Sequence, residues 1–256
     1  MAFLESLLEG LFRQSELFQF GVFALNGLIF FGAGMALIRI FNRRPNPSAW
    51  TPVGPYFSAV SVIFALFLAF HASDIWAGKN KAEHAYIEAG SAVRQLDDLS
   101  SPEQLDLPGL RSALRHYVRY VFRDEWRKSR NRTPSERAQR AFHDLQVQVM
   151  QANRSVPAPI AAQLNKLFNH IERARADQLW LGANPTDATS WLAVWLLGLL
   201  AHLAVAAVHF DKPKAGAVAL TLLALATVVA FWSLGVVDDP YHFSDELNPQ
   251  KWLPGD

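Results

Sequence analysis

The sequence predicts an all-α, multi-pass membrane protein with four transmembrane helices and an extramembrane helical bundle inserted between helices two and three. Three observations carry this. The chain is 51% hydrophobic, yet its mean hydropathy is only +0.08, so the apolar residues are segregated into blocks. Four of those blocks are uncharged and match the rule that about 20 apolar residues cross about 30 Å of hydrocarbon. Between residues 79 and 187, by contrast, apolar side chains recur at helical spacing among many charges.

Residues 1–16 place Phe3, Leu4, Leu7, Leu8, Leu11 and Phe12 at helical spacing, which predicts an amphipathic segment at the membrane interface. Early charges at Glu5 and Glu9, with no small-residue cleavage site, argue against a secretory signal. The first span covers 17–41. After Pro52-Val53-Gly54-Pro55 the second covers 56–78, free of charge until Asp74, and no proline follows before Leu99. One helix is therefore expected to cross the bilayer, continue to about residue 99 and couple the membrane to the bundle.

Within the bundle, 79–187, helix starts are expected at Asp106 with Pro108, at the capping box Thr133-Pro134-Ser135-Glu136, and at Pro157 or Pro159. Leu110, Ala113, Leu114, Tyr117, Val121 and Phe122 form one apolar stripe, and Ile160, Leu164, Leu167, Phe168 and Ile171 another. The third and fourth spans cover 190–209 and 215–237, and an acidic tail covers 238–256.

The net charge is +1, so its distribution says more than its sum. Arg39, Arg43 and Arg44 lie in the first short loop and Lys212 and Lys214 in the last, which by the positive-inside rule places both loops in the cytoplasm and both termini and the bundle on the outer side. Arg111, Arg115, Arg119, Arg123 and Arg127 recur every four residues, but Glu103, Asp106, Asp124, Glu125, Glu136 and Asp144 are interleaved nearby. A solvated face accounts for them, and no aromatic platform supports a nucleic-acid partner. The chain has no cysteine.

Around the second span, Ser58, Ser61, Ala65, Ala69 and Ala72 form a small-residue surface suited to helix packing. Phe57, Phe64, Phe67, His71, Asp74 and Gly78 share a different side. Two readings stand for that side: lipid contact with Trp76 as interfacial anchor, or a pore in which the rings constrict and the ionisable pair lies at the mouth. His71 and Asp74 are spaced for an i, i+3 hydrogen bond and a pH-sensitive element. In the third span Trp191, Trp195, Gly198, His202, Val205 and His209 share a face, where the histidines are read as hydrogen-bonded between helices and too far apart to bind one ion. Asp238, Asp239, His242, Asp245 and Glu246 could ligate a hard cation, but their spacing matches no EF-hand, and a solvated tail is the expectation. No nucleophile elbow, phosphate-cradling glycine loop or zinc helix appears, so neither an enzyme, a cofactor nor a metal site is expected.

The run FALFLAFHASDIWAGKNKAEHAYIEAGSAVRQL resembles the signature of the bestrophin-like family of bacterial membrane proteins: an apolar span, then a polar residue near a tryptophan, an asparagine, and a Glu-Ala-rich helix. Tyr117 to Trp126, YVRYVFRDEW, is similar to that family's Tyr…Glu-Trp element, and Arg173 to Leu179, RARADQL, to a further family segment. The late DDPYHF also resembles one, although Pro240-Tyr241-His242-Phe243 replaces the usual Pro-Phe-Ser-Gly. The resemblance implies a homo-oligomeric ion channel in the bacterial inner membrane, a pentamer by analogy with the bestrophins, whose second helix lines a phenylalanine-rich neck. Phe57, Phe64 and Phe67 take that role by analogy, and the partners are lipid, ions and further copies of the chain. A membrane-anchored sensor or scaffold, whose bundle binds a partner, is the alternative.

Overall fold

Long apolar runs without proline are free to satisfy every backbone group internally, and among the described residues they do so as helices. The computed structural model describes residues 7–8, 10–12, 14–52, 54–183, 187–241 and 245–253, with only the backbone of Tyr56 and Asp245. Phe3 and Leu4 of the interfacial segment, and His242 and Phe243 of the late motif, lie outside the described residues. The principal helices are α1 (Glu16–Asn42), α2 (Gly54–Leu99), α3 (Pro108–Tyr120), α4 (Glu136–Ala152), α5 (Ala158–Ala183), α6 (Ala188–Ala207) and α7 (Pro213–Asp238). There is no strand among the described residues. Four of these helices, α1, α2, α6 and α7, are long and apolar enough to cross a membrane. At 46 residues, α2 is about 69 Å long at 1.5 Å per residue.

The chain divides into two units, one of residues 1–77 and 186–239, the other of 78–185 and 240–256. In the first, the membrane unit, α1 and α7 run antiparallel and interlock through glycines on both sides. A Cβ on Gly27 would lie 2.4 Å from Val228, and one on Gly216 would lie 2.6 Å from Ile38. Gly34 receives Leu220 and Gly235 receives Phe23 in the same manner. Where lipid supplies no hydrophobic drive, such close backbone approach is what holds helices together. Three helices converge at Gly198 of α6. Rings from three helices, Phe30 of α1, Phe64 of α2 and Phe231 of α7, come within 3.3, 3.3 and 3.5 Å of where its Cβ would stand. Phe12, ahead of α1, is buried against Trp191, and the amide of buried Gln19 donates to the Phe12 carbonyl.

The helical unit has its own core, drawn from α2, α3, α4 and α5. Leu114, Leu145, Leu164 and Ile171 are fully enclosed there, as the apolar stripes of α3 and α5 require. Between α3 and residue 127 the backbone widens into a π-helical turn, Val121–Trp126. That turn carries Glu125 and Trp126, both buried. Glu125 forms a bidentate pair with Arg175 of α5, at 2.7 and 3.2 Å. Arg175 also donates to Gln139 of α4, and the Ser135 N–H donates to Glu125. The helix that follows is capped by Ser135, whose hydroxyl accepts from Arg137 and Ala138, and not by Thr133. Pro134 lies ahead of the helix and Ser135 directly before its first residue, so the Ser135 hydroxyl is the one that reaches the first-turn N–H groups.

Two further expectations are corrected. The tail read as solvated packs into this unit: Tyr241, Leu247, Trp252 and Leu253 are buried. Trp252 fills a notch at Gly90, whose Cβ would lie 2.6 Å from the indole, and the Tyr86 hydroxyl donates to the Asn248 carbonyl. Six acidic or histidine residues in the tail mask these four buried apolar ones. The arginine ladder is also not uniformly solvated, because Arg111 and Arg115 both reach the buried carboxylate of Asp97, at 3.1 and 3.5 Å. Burial pushes the Asp97 carboxyl up, but the hydrogen bond and charge of Arg111, joined by Arg115, outweigh it and hold it below its ordinary value.

Two measurements check these contacts. Arg175→Met leaves the Glu125 charge buried and alone, so thermal unfolding should show a loss of about 3–5 kcal/mol, much of it recovered by adding Glu125→Leu. Asp97 has a folded-state pKa below its unfolded one, near 3.9, so its stabilisation is present above that pH and is lost as pH falls through the folded value. Asp97→Asn should therefore lower the Tm at pH 7 and narrow its difference from wild type progressively below about pH 4.

Candidate functional site in the second membrane helix

The apolar half of α2 decides what surface the membrane unit can offer. A helix turns about 100° per residue, so positions seven apart nearly coincide. Phe64 and His71 stand in that relation and both are buried, with Ile75 completing the inward stripe and Phe57 half-buried one step earlier. Phe64 enters the slot left by Gly198. His71 lies edge-on to Trp191, with ring centroids 4.6 Å apart, and its Nδ1 is 3.2 Å from the Ser190 hydroxyl.

The side read as one face thus separates into two. Phe64 and His71 are turned into the protomer, whereas Phe67 and Asp74, set about 60–80° around the helix, are exposed together with Ile63 and Phe70. The physical reason is the partner available at each level. Gly198 has no side chain to resist a ring, and the first turn of α6 offers a hydroxyl to an imidazole that would otherwise meet hydrocarbon. His71 accordingly takes Ser190 as its hydrogen-bond partner, in place of the expected Asp74. On the other flank Ser58, Ala65 and Ala69 are exposed and Ser61 is half-buried, so the small residues are not consumed by packing inside the protomer. Of the four membrane helices α2 is also the least covered: 17% of its most apolar stretch is buried, against 39% in α6 and in α7.

The third span's histidines behave differently from expectation. His202 Nδ1 lies 2.8 Å from the Gly198 carbonyl and His209 Nδ1 lies 2.7 Å from the Val205 carbonyl, each one turn back in the same chain segment. Among the described residues neither of these bonds bridges to another helix, because each ring turns back to the carbonyl four residues earlier. Among the described residues no group of three His, Cys, Asp or Glu is placed to hold a metal. Asp238 is buried at the end of α7 and Glu246 is exposed, so the acidic tail residues do not share one environment.

In the helical unit the structure joins two segments whose connection periodicity could not disclose. Glu125 and Arg175, the buried pair, lie in YVRYVFRDEW and RARADQL, fifty residues apart in sequence. Gln178, also in the second segment, donates to the Ala85 carbonyl of α2. Motif identity was the one available signal for this pairing.

Residues 28–244 match the family model of the Bestrophin-like domain. The chain belongs to the bestrophin-like family. This bestrophin-like chain is similar to solved structures of a bacterial bestrophin homolog from Klebsiella pneumoniae. One single-substitution variant aligns at a TM-score of 0.70 with 15% identity, covering 93% of this chain and 94% of that one. A second variant aligns at 0.67 with 14% identity, covering 90% and 95%. A third structure, phased on zinc, aligns at 0.59 with 15% identity, covering 89% and 90%. At such identities the likeness concerns the fold. A comparison with proteins of curated function finds no match.

The two phenylalanines now have opposite expectations. Phe64→Ala empties the Gly198 slot and should lower protomer stability by about 3–5 kcal/mol. Phe67→Ala, at a position 48% exposed, should leave the thermal unfolding of the detergent-solubilised protomer nearly unchanged.

Proposed function

We propose that this bestrophin-like protein is a homo-oligomeric ion channel of the inner membrane, with α2 lining the pore. The observation that carries the reading is the exposed surface of α2, the least covered membrane helix, where an aromatic residue and a carboxylate share one flank and small residues occupy the other. Neighbouring copies approach through Ser58, Ala65 and Ala69, as small residues permit. Phe67 then faces the axis as the hydrophobic constriction, and Asp74 sets the charge two turns further along. Phe57 lies at the edge of this lining, while Phe64 and His71 serve it from behind by fixing the rotation of α2. The family's bestrophin namesakes and the bestrophin homologs that share the fold support the reading, and a pentamer is the assembly the resemblance suggests. The basic loops are assigned to the cytoplasmic side and the helical unit to the outer side.

The test combines assembly with transport. Native mass measurement in nanodiscs should give a closed ring, and purified protein in liposomes should pass ions. Phe67→Ala should raise the flux severalfold by widening the constriction, and Asp74→Asn should alter the cation-to-anion permeability ratio. A monomer or dimer without flux overturns the channel reading in favour of the scaffold.

A further inference from the structure

We propose that the loop end of the membrane unit, where α1 passes to α2 and α6 to α7, binds the headgroups of anionic phospholipids through their phosphate oxygens. The two connections lie side by side. The Asn42 amide donates to the Phe210 carbonyl at 2.8 Å, and Phe41 stacks on Phe210 with centroids 4.4 Å apart and planes within 4°. That contact gathers Arg39, Arg43 and Arg44 with Lys212 and Lys214 at one end of the unit. All five are exposed, and Asp211 is the one acidic residue within 39–55 and 209–216. None of the five meets a carboxylate at ion-pair distance among the described residues. The other end of the same unit carries Glu16, Asp187, Asp238 and Asp239 instead.

Membrane topology asks only for positive charge here, and the geometry supplies more. The Arg44 guanidinium sits over two rings, 4.9 Å from the centroid of Phe41 and 5.3 Å from that of Trp50. A guanidinium held by its face keeps its N–H edge free for the two oxygens of a phosphate. In the adjoining connection α7 opens at Pro213, and its N-cap residue, Lys212, offers no side-chain acceptor to the first N–H groups. Open N–H groups at a helix start attract anions. The apolar surface next to these cations favours a lipid over a free ion: Ile40 is 56% exposed beside Arg39, and Val218 is 62% exposed one turn from Lys214. Acyl chains lie along those side chains while the headgroup meets the basic residues. Trp50, 53% exposed, stands where an interfacial indole belongs.

The full-length protein in detergent, titrated with phosphatidylglycerol or phosphatidylcholine and read by native mass spectrometry, tests the proposal. Phosphatidylglycerol should remain bound where phosphatidylcholine does not. Combined Arg43→Gln, Arg44→Gln and Lys212→Gln should weaken it about 100-fold, at roughly fivefold per basic residue, while Lys251→Gln changes nothing. Arg43→Gln and Lys214→Gln alone, which disturb no ring contact, carry the same test at about fivefold each if the combined variant fails to fold. Equal retention of the two lipids, or unchanged binding in folded variants, overturns the proposal. Displacement of the lipid by an equal concentration of inorganic phosphate overturns the lipid as the source and leaves a phosphate site. The outcome is independent of ion flux.

Discussion

The membrane unit depends on one absent side chain. At Gly198 three phenylalanines, one from each neighbouring helix, close to within 3.3–3.5 Å of where a Cβ would stand, so that a larger side chain there would have to push the rings apart. Water drives no association between apolar helices inside a bilayer, so contact of this closeness is the main source of attraction. It also sets the rotation of α2. Once Phe64 is held inward, the seven-residue step brings Phe57 and His71 toward the same interior, and Phe67, Asp74 and the small residues are left on the surface. The face that α2 offers to its surroundings is thus the complement of a packing decision made at α6.

The helical unit relies on a different device, an ion pair closed off from water. Glu125 accepts from Arg175 twice and from the Ser135 N–H, and Arg175 spends a further donor on Gln139, so neither charge lacks hydrogen bonds. Burial alone would lower the Arg175 pKa, but the bond to Glu125 raises it above its ordinary value. The π-helical turn lets Glu125 and Trp126 both lie inside, at the join of α3 with the loop that leads to α4. Tyr117, fully buried nearby, has its phenol pKa pushed up by the same desolvation.

How much of this was written in the sequence differs between the two units. In the helical unit, water and core differ in polarity, so Leu110, Leu114, Leu164 and Ile171 could be assigned to the interior from spacing alone. In the spans that contrast disappears. Lipid and protein neighbours are both apolar, so a ring such as Phe64 and a ring such as Phe67 look equivalent, and only the glycine opposite distinguishes them. His71 and His202 were conspicuous as polar residues in apolar runs, yet their partners, Ser190 and the Gly198 carbonyl, could not be read from charge or period. The tail misled through composition, since its acids are numerous while Tyr241 and Trp252 are two aromatic residues and both are buried.

The seating of Trp252 against Gly90 bears on how the protein is made. The core of the helical unit is assembled from residues 78–185 and 240–256, with two whole bilayer-crossing helices encoded between them. Synthesis therefore delivers most of that core well before the indole that completes it. Until translation has passed the later spans, the notch at Gly90 beside Tyr86 stays unfilled, so the core of this unit closes only after both of those helices have been made.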